Sequence, residues 1–192
     1  MAVDPNNLPE QELIEGCIAQ NRQCQEFLYR KYADKMYNVS LSYAKDEDEA
    51  CDILQEGFIK VFRNLTKFNQ NGSFQGWIRR IMVNTALEHF RKKNREREHL
   101  SVYHKFIEPR VENILNTLHA QEIIRLVNQL PAKAAMVLKL YAIEGYSHKE
   151  IAGQLEITEG TSKSQLNRAR SLLKEALINN ENIREPLKIF SS

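Results

Sequence analysis

The chain has 192 residues, of which 42% are hydrophobic and 27% are charged, and its formal net charge is only +2. Glycine and proline are sparse, with 7 and 5 residues, so the composition favours helices over a turn-rich β architecture. No stretch approaches the roughly 20 apolar residues of a membrane span, and the N-terminus lacks the basic-then-apolar order of a signal peptide. We therefore expect an all-α cytoplasmic protein without membrane insertion.

The cysteines and histidines give no sign of a metal or cofactor site. Cys17, Cys24 and Cys51 are odd in number and lack metal-ligand spacing, which suits a reducing compartment. Cys17 and Cys24 are seven residues apart, so a single helix would place them on one face, where core packing accounts for them. The five histidines are scattered along the chain. We expect neither a bound metal nor a cofactor.

Helical periodicity is visible through the first half of the chain. Two helices are predicted over Leu13 to Cys24 and Phe27 to Tyr43, and a third with one apolar stripe over Asp48 to Leu65. A fourth follows the turn-like sequence NQNGS and begins near Trp77. Together these four helices predict a first domain over residues 8–97.

The third helix has an acidic outward face. Six acids lie between Asp46 and Glu56, and Ile59 stands among polar residues opposite the apolar stripe. An exposed isoleucine in that setting is typical of a protein-docking surface, although a solvated acidic face is the alternative. A metal-dependent nuclease is disfavoured, because carboxylates on consecutive turns lack a convergent partner. The predicted docking residues are Asp52, Gln55, Glu56, Ile59 and Arg63.

The fourth helix is strongly basic. Between Trp77 and Arg97 seven lysines and arginines stand against two acids, a local excess that can act on a polyanion. One face carries Arg80, Asn84, Glu88, Arg91 and Arg95, with Arg79, Lys92 and Lys93 beside it. Basic side chains there can contact phosphates, while an asparagine can donate and accept toward a base. A generic charged face accounts for the pattern equally well.

The periodicity weakens after this helix. Residues 98–117 are mixed in character and include Pro109, so we interpret them as a linker. An apolar pattern resumes near Ile123, breaks at Pro131 and ends at Gly145. Residues 118–178 are predicted to form a second domain, followed by a tail over residues 179–192.

Two helix-start signals lie close together in the second domain. Ser147 and Glu150 match a capping box, so a helix begins at Ser147. It is short, because Thr158 is a second N-cap candidate and Glu159 follows it, where a carboxylate suits the helix dipole. The result is a helix-turn-helix.

The second of these helices has two distinct faces. Ser162, Leu166 and Ala169 cluster inward, and from Gly160 to Lys174 there are four bases and no acid. Such a face suits a recognition helix in a DNA major groove, where polar groups meet base edges and cations meet phosphates. A solvated polar face is the alternative. The predicted contacts are Thr161, Lys163, Ser164, Asn167, Arg168 and Ser171.

The sequence GYSHKEIAGQLEITEGTSKSQLNRARSLLK resembles the C-terminal helix-turn-helix of sigma-70 family transcription initiation factors. Upstream, ACDILQEGFIKVFRNL resembles the helix that docks on RNA polymerase, and SFQGWIRRIMVNTALEHFRKKNR resembles the segment that opens and recognises the minus-10 element. Two domains with a short linker are similar to the extracytoplasmic-function subgroup. Two departures stand out: Ser162 replaces a usual aliphatic residue, and Gln165 replaces a usual base.

The resemblance implies two small helical domains and a set of roles. The third helix would meet a coiled coil of the largest subunit of core RNA polymerase, and the helix-turn-helix would recognise the minus-35 duplex. A base of the opened minus-10 strand would flip into a pocket between the loop of Asn69 to Phe74 and the helix carrying Asn84. The resemblance also implies an anti-sigma factor as a partner, and the chain itself would perform no covalent chemistry. The implied minus-10 contacts are Asn69, Ser73, Phe74, Arg80, Asn84, Arg91, Lys92 and Arg95.

One rival hypothesis stays open on the sequence. A stand-alone helix-turn-helix regulator that recruits or blocks polymerase would explain Ser147 to Lys174 equally well. It would leave Ile59 and the arginine-rich helix of the first domain without a role.

Overall fold

The computed structural model describes residues 8–69, 72–97 and 126–179. In these ranges every regular element is a helix, and none of the helices is long and apolar enough to cross a membrane. The chain divides into two compact units, Met1–Ser101 and Val102–Ser192. The residues that we interpreted as a linker, and the tail beyond Asn179, lie outside the described ranges.

The first unit contains four α-helices: α1 over Glu10–Ile18, α2 over Arg22–Tyr43, α3 over Glu47–Asn64 and α4 over Phe74–Arg97. A single 3-10 turn, Leu65–Lys67, follows α3. Helices α2, α3 and α4 pack against one another, and α1 packs on α2. The apolar faces of these helices meet in a core. Its fully buried side chains include Leu28, Met36, Ile53, Ile78, Met82 and Leu87.

The boundary between α1 and α2 differs from the sequence prediction. The first helix ends at Ile18, Gln20 has a positive φ of 59°, and the Asn21 side chain accepts hydrogen bonds from the first turn of α2. Cys17 and Cys24 therefore lie on two helices, and the expectation that they share one helix face is wrong. Both are buried as expected. Burial and the nearby Cys24 raise the pKa of the Cys17 thiol to about 12, so Cys17 stays protonated.

Close packing between α3 and α4 depends on a small residue. Gly57 of α3 faces Met82 of α4, and a Cβ at that position would collide with the methionine sulfur. The start of α3 is fixed by Asp46, whose carboxylate accepts a hydrogen bond from the Glu49 N–H at 2.8 Å. These features hold α3 against α4 and turn the other side of α3 outward.

The second unit packs its last helix on a core of small residues. A helical turn over 126–129 precedes α5 (Ala132–Ala142), α6 (His148–Leu155) and α7 (Glu159–Asn179). Helix α7 packs on both α5 and α6. The core combines Leu130, Ala134 and Ala135 with Ala169 of α7, and Leu138, Leu172 and Leu173 pack around it.

The helix-start signals of the second unit are confirmed. Ser147 and Glu150 form a complete capping box, in which each side chain bonds the other residue's backbone N–H. The Thr158 hydroxyl accepts from the Thr161 N–H at 3.0 Å at the start of α7. Between the two helices Glu156 takes the left-handed conformation, with φ of 55°. This geometry is a helix-turn-helix.

A charged side chain lies within the second unit. Lys139 of α5 is buried, and its Nζ donates a hydrogen bond to Asn128 Oδ1 at 3.2 Å. Desolvation lowers the pKa of Lys139 from 10.5 to about 8. The unfolded chain therefore binds more protons than the folded chain between these two pH values, and stability rises with pH across that window.

We expect Lys139→Met to abolish the rise of second-unit stability with pH above about pH 8, because the substitution removes the group whose proton binding differs between the folded and unfolded chains. Urea unfolding of the full chain, followed by far-ultraviolet circular dichroism, measures the change. Trp77, the only tryptophan, lies in the first unit, so its fluorescence transition is an internal control that should not move. Wild-type stability should rise from pH 8 toward pH 9.5 while that of Lys139→Met stays level; parallel profiles would contradict the prediction.

Candidate nucleic-acid and protein interfaces

The outward face of α3 carries the five predicted docking residues. Asp52, Gln55, Glu56 and Arg63 are exposed, and Ile59 between them is 49% exposed. The opposite stripe is buried in the core of the first unit. An apolar side chain is therefore presented to solvent in a polar rim, the composition of a small protein-binding surface.

Side-chain contacts join one side of α3 to α4, and sequence spacing did not predict them. They are the ion pairs of Glu49 with Lys93 and of Lys60 with Glu88, each at 2.7 Å, and a hydrogen bond between Glu56 Oε2 and His89 Nε2 at 2.9 Å. Glu49 is buried, so it is not part of a solvated acidic face. Lys93 is engaged within the protein, and Glu56 belongs to both the outward face and this contact. The predicted docking face of α3 and the basic helix α4 are therefore joined by side-chain contacts.

An aromatic cluster supports the loop before α4. Phe68, Phe74 and Trp77 lie with ring centroids 5.0 to 5.6 Å apart, and Tyr32 meets Phe74 edge-on at 5.7 Å. Phe74 is only 1% exposed. The expectation of a direct DNA contact by Phe74 is therefore corrected: its ring is buried in the core of the first unit, whereas Phe68 and Trp77 are half-buried.

The other predicted minus-10 residues lie at the surface of the same region. Arg80, Lys92 and Arg95 are exposed, and Asn84 and Arg91 are half-buried. Asn69 and Ser73 are exposed at the two ends of the loop, whose residues 70 and 71 lie outside the described ranges. The Ser73 hydroxyl accepts a hydrogen bond from the Gly76 N–H at 3.1 Å and caps the start of α4. A basic helix face thus adjoins a loop backed by aromatic rings.

The outward face of α7 contains all six predicted minus-35 residues. Lys163, Ser164, Asn167, Arg168 and Ser171 are exposed, and Thr161 is half-buried. In this structure the Ser164 hydroxyl donates to the Thr161 carbonyl at 2.9 Å, and the Thr161 hydroxyl pairs with that of Thr158. Asn167 and Arg168 stand at the centre of the face.

Ser162, the departure noted in the sequence, is fully buried at 0% exposure. Its Oγ pairs with His148 Nδ1 of α6 at 2.9 Å. The His148 ring stacks on Tyr141 of α5 at 4.8 Å, and the Arg170 guanidinium lies 5.7 Å from the centre of the Tyr141 ring. These partners are 7 to 29 residues apart in the chain, so helical periodicity carries no signal for them.

The described residues contain no group of three or more His, Cys, Asp or Glu side chains arranged to hold a metal ion. The surfaces of α3, α4 and α7 instead offer charged, amide and hydroxyl groups for noncovalent binding.

Each of the two units matches a family of known proteins. Residues 28–96 match the family model for sigma-70 region 2, and residues 120–173 match that for sigma-70 region 4. The chain is 30% identical to the ECF RNA polymerase sigma factor SigW of Bacillus subtilis over 158 residues, covering 76% of this chain and 84% of SigW. It is 29% identical to the RNA polymerase sigma-H factor of Pseudomonas aeruginosa over 180 residues, covering 88% and 93% of the two chains.

Among solved structures, the fold is similar to the sigma factor RpoE from Bartonella quintana, which was crystallised in complex with the anti-sigma factor NepR. The TM-score is 0.50 at 22% identity, over 79% of this chain and 95% of RpoE. That likeness concerns the fold. With both domain models and full-length relatives in agreement, the chain belongs to the sigma-70 family, in its extracytoplasmic-function subgroup: it is a sigma factor that binds core RNA polymerase and directs promoter-specific transcription initiation.

Proposed function

We propose that the three outward faces divide the work of initiation. The α3 face of Asp52, Gln55, Glu56, Ile59 and Arg63 docks on the largest subunit of core RNA polymerase. The α4 face with its preceding loop captures the opened minus-10 strand. The α7 face contacts the minus-35 duplex. The observation that carries this proposal is that the predicted contacts lie, apart from Phe74, at exposed or half-buried positions of these helices and of the loop before α4.

Docking through α3 is supported by its exposed isoleucine. Interfaces are held by apolar residues at the centre of a patch, surrounded by polar groups that exclude water. Ile59 has this position between Gln55, Glu56 and Arg63. The carboxylates around it favour a partner surface that is basic.

Strand capture by α4 is supported by the presence of basic side chains and aromatic rings in the same region of the first unit. Arg80, Arg91, Lys92 and Arg95 can follow a phosphate backbone. The half-buried rings of Phe68 and Trp77 and the amide of Asn84 offer stacking and hydrogen bonding to a base that has left its duplex. Phe74 holds those rings in place from below.

Duplex contact by α7 is supported by its chemistry. The outward face from Thr161 to Ser171 carries hydrogen-bonding groups and cations without a carboxylate, and such groups can distinguish base edges in the major groove. We assign these activities to domains over residues 8–97 and 118–178, joined by residues 98–117.

The same proposal covers location and partners. A sigma factor works where polymerase transcribes, so we place the chain in the cytoplasm, and covalent chemistry belongs to the polymerase rather than to this subunit. An anti-sigma partner is also proposed, because the structurally similar RpoE is described in complex with one.

Site-specific crosslinking tests the division of work. A photo-crosslinking phenylalanine analogue at position 59 should capture the largest polymerase subunit, and one at position 164 should capture duplex DNA near minus-35. Position 18 on α1, also an exposed isoleucine, is the control and should capture neither. Crosslinks from position 59 to DNA, or from position 164 only to polymerase, would contradict the assignment.

Asn84→Ala is expected to reduce open-complex formation on a duplex promoter about tenfold, while a template already unpaired at minus-10 should be affected much less. The reason is that contacts with a flipped base offset the cost of unpairing, a few kcal/mol, and an unpaired template does not incur that cost. Permanganate footprinting measures the open fraction. Asn94→Ala, on another face of α4, is the matched control; equal losses on both templates would indicate a folding defect instead.

A further inference from the structure

Behind α7 lies a set of side-chain contacts that the three proposed faces leave unused. Ser162 has one side-chain partner among the described residues, His148, with Oγ and Nδ1 2.9 Å apart. A buried hydroxyl needs such a partner, because an unpaired one loses its hydrogen bonds to water without replacement. The bond ties the first turn of α7 to the first residue of α6.

This bond differs in kind from the apolar contact that it replaces. Aliphatic packing is non-directional, so two helices held only by it can slide slightly at little cost. A hydrogen bond weakens steeply as its angle departs from linearity. His148 is itself held, because its ring stacks on Tyr141 with 22° between the planes.

A second contact holds α7 farther along its length. The Arg170 guanidinium lies over the same Tyr141 ring, at 5.7 Å from its centre, within the range of a cation–π interaction. Arg170 follows Ser162 by eight residues, or about 12 Å of helix. Two attachment points at that separation fix both the position and the tilt of the helix, and Ser164, Asn167 and Arg168 lie between them.

We infer that His148 is a positioning residue for minus-35 recognition: with Tyr141 it attaches α7 at two points and sets the angle at which the outward face of α7 meets DNA. The inference rests on the proposed function of α7. His148 does not contact DNA in this account; it acts through Ser162. Sequence specificity is sensitive to the angle of α7, because base-edge hydrogen bonds tolerate little displacement.

The test uses holoenzyme formed from core polymerase and the full-length chain, transcribing a promoter library with a randomised minus-35 element. The measured quantity is the ratio of transcripts from the best variants to those from the median variant. His148→Phe keeps a ring against Tyr141 and loses the bond, whereas His148→Asn can present a polar atom near the position of Nδ1. Ser162→Ala removes the hydroxyl and leaves Nδ1 of the half-buried His148 ring without this bond.

We expect His148→Phe and Ser162→Ala to lower the ratio about tenfold, the scale of one lost base contact, and His148→Asn to keep it within about twofold. Ser40→Ala is the matched control, because Ser40 Oγ is buried without a hydrogen-bond partner in the described part of the chain; its ratio should equal that of the wild type. Thermal melts accompany each variant, since a merely structural contact would lower Tm and leave the ratio unchanged.

Two results would overturn the inference alone: a wild-type ratio that survives both His148→Phe and Ser162→Ala, or a loss in His148→Asn as large as that in His148→Phe. A wild-type holoenzyme without any minus-35 preference would overturn the assignment of α7 and this inference with it.

Discussion

Ile59→Arg is expected to weaken binding to core RNA polymerase by at least about 30-fold, or ~2 kcal/mol, the scale of an interface hot spot. The substitution removes the apolar centre of the α3 face and places a cation against a partner that the neighbouring Asp52 and Glu56 favour as basic. Helix α3 should persist, because Ile59 is 49% exposed and arginine is a good helix former.

Native-gel titration of the variant against core enzyme measures this loss. Ile18→Arg is the matched control, since Ile18 is 42% exposed in the same unit but lies on α1. Its affinity should be that of the wild type. An Ile59→Arg variant that binds core as tightly as Ile18→Arg would remove α3 from the docking surface.

Arg168→Ala is expected to change which minus-35 sequences support transcription. Arg168 is exposed at the centre of the outward face of α7, where a bidentate contact to a base edge contributes about 1–3 kcal/mol of discrimination. Preference at one position of the element should therefore fall by about 5- to 150-fold, while preferences elsewhere persist.

Lys174→Ala is the matched control for this prediction. Lys174 is exposed near the far end of the same helix, where it can meet phosphate or solvent. Its removal should at most lower transcription from all variants uniformly, and loss of a phosphate contact would reduce the salt slope by about one. Transcription from a promoter library with a randomised minus-35 element distinguishes the two substitutions. If Arg168→Ala leaves the order of preferred minus-35 variants unchanged, Arg168 is a phosphate or structural contact.

Local signals in the sequence predicted the helix-turn-helix well. A capping box needs only Ser147 and Glu150, and Thr158 acts within its own turn, so the residues themselves indicate where both helices begin. The start of α2 was missed for an equally local reason. Apolar residues continue at helical spacing through Cys17 and Cys24 and conceal the Asn21 N-cap between them.

The parts that escaped prediction depend on contacts across helices. The His89 and Glu56 side chains are 33 residues apart in the chain, and Ser162 and His148 are 14 apart. No period of three or four residues connects such pairs. The resemblance implied a DNA contact for Phe74, yet its side chain is buried in the core of the first unit.

The central claim is that one subunit docks on polymerase through α3 and selects promoters through α4 and α7. Purified chain added to core polymerase that carries no other sigma factor tests it most directly, with transcript start sites mapped on genomic DNA. The account predicts discrete start sites that share upstream minus-10 and minus-35 elements, lost with Ile59→Arg and redistributed with Arg168→Ala. Start sites that appear only when another sigma factor is already bound to core would contradict it.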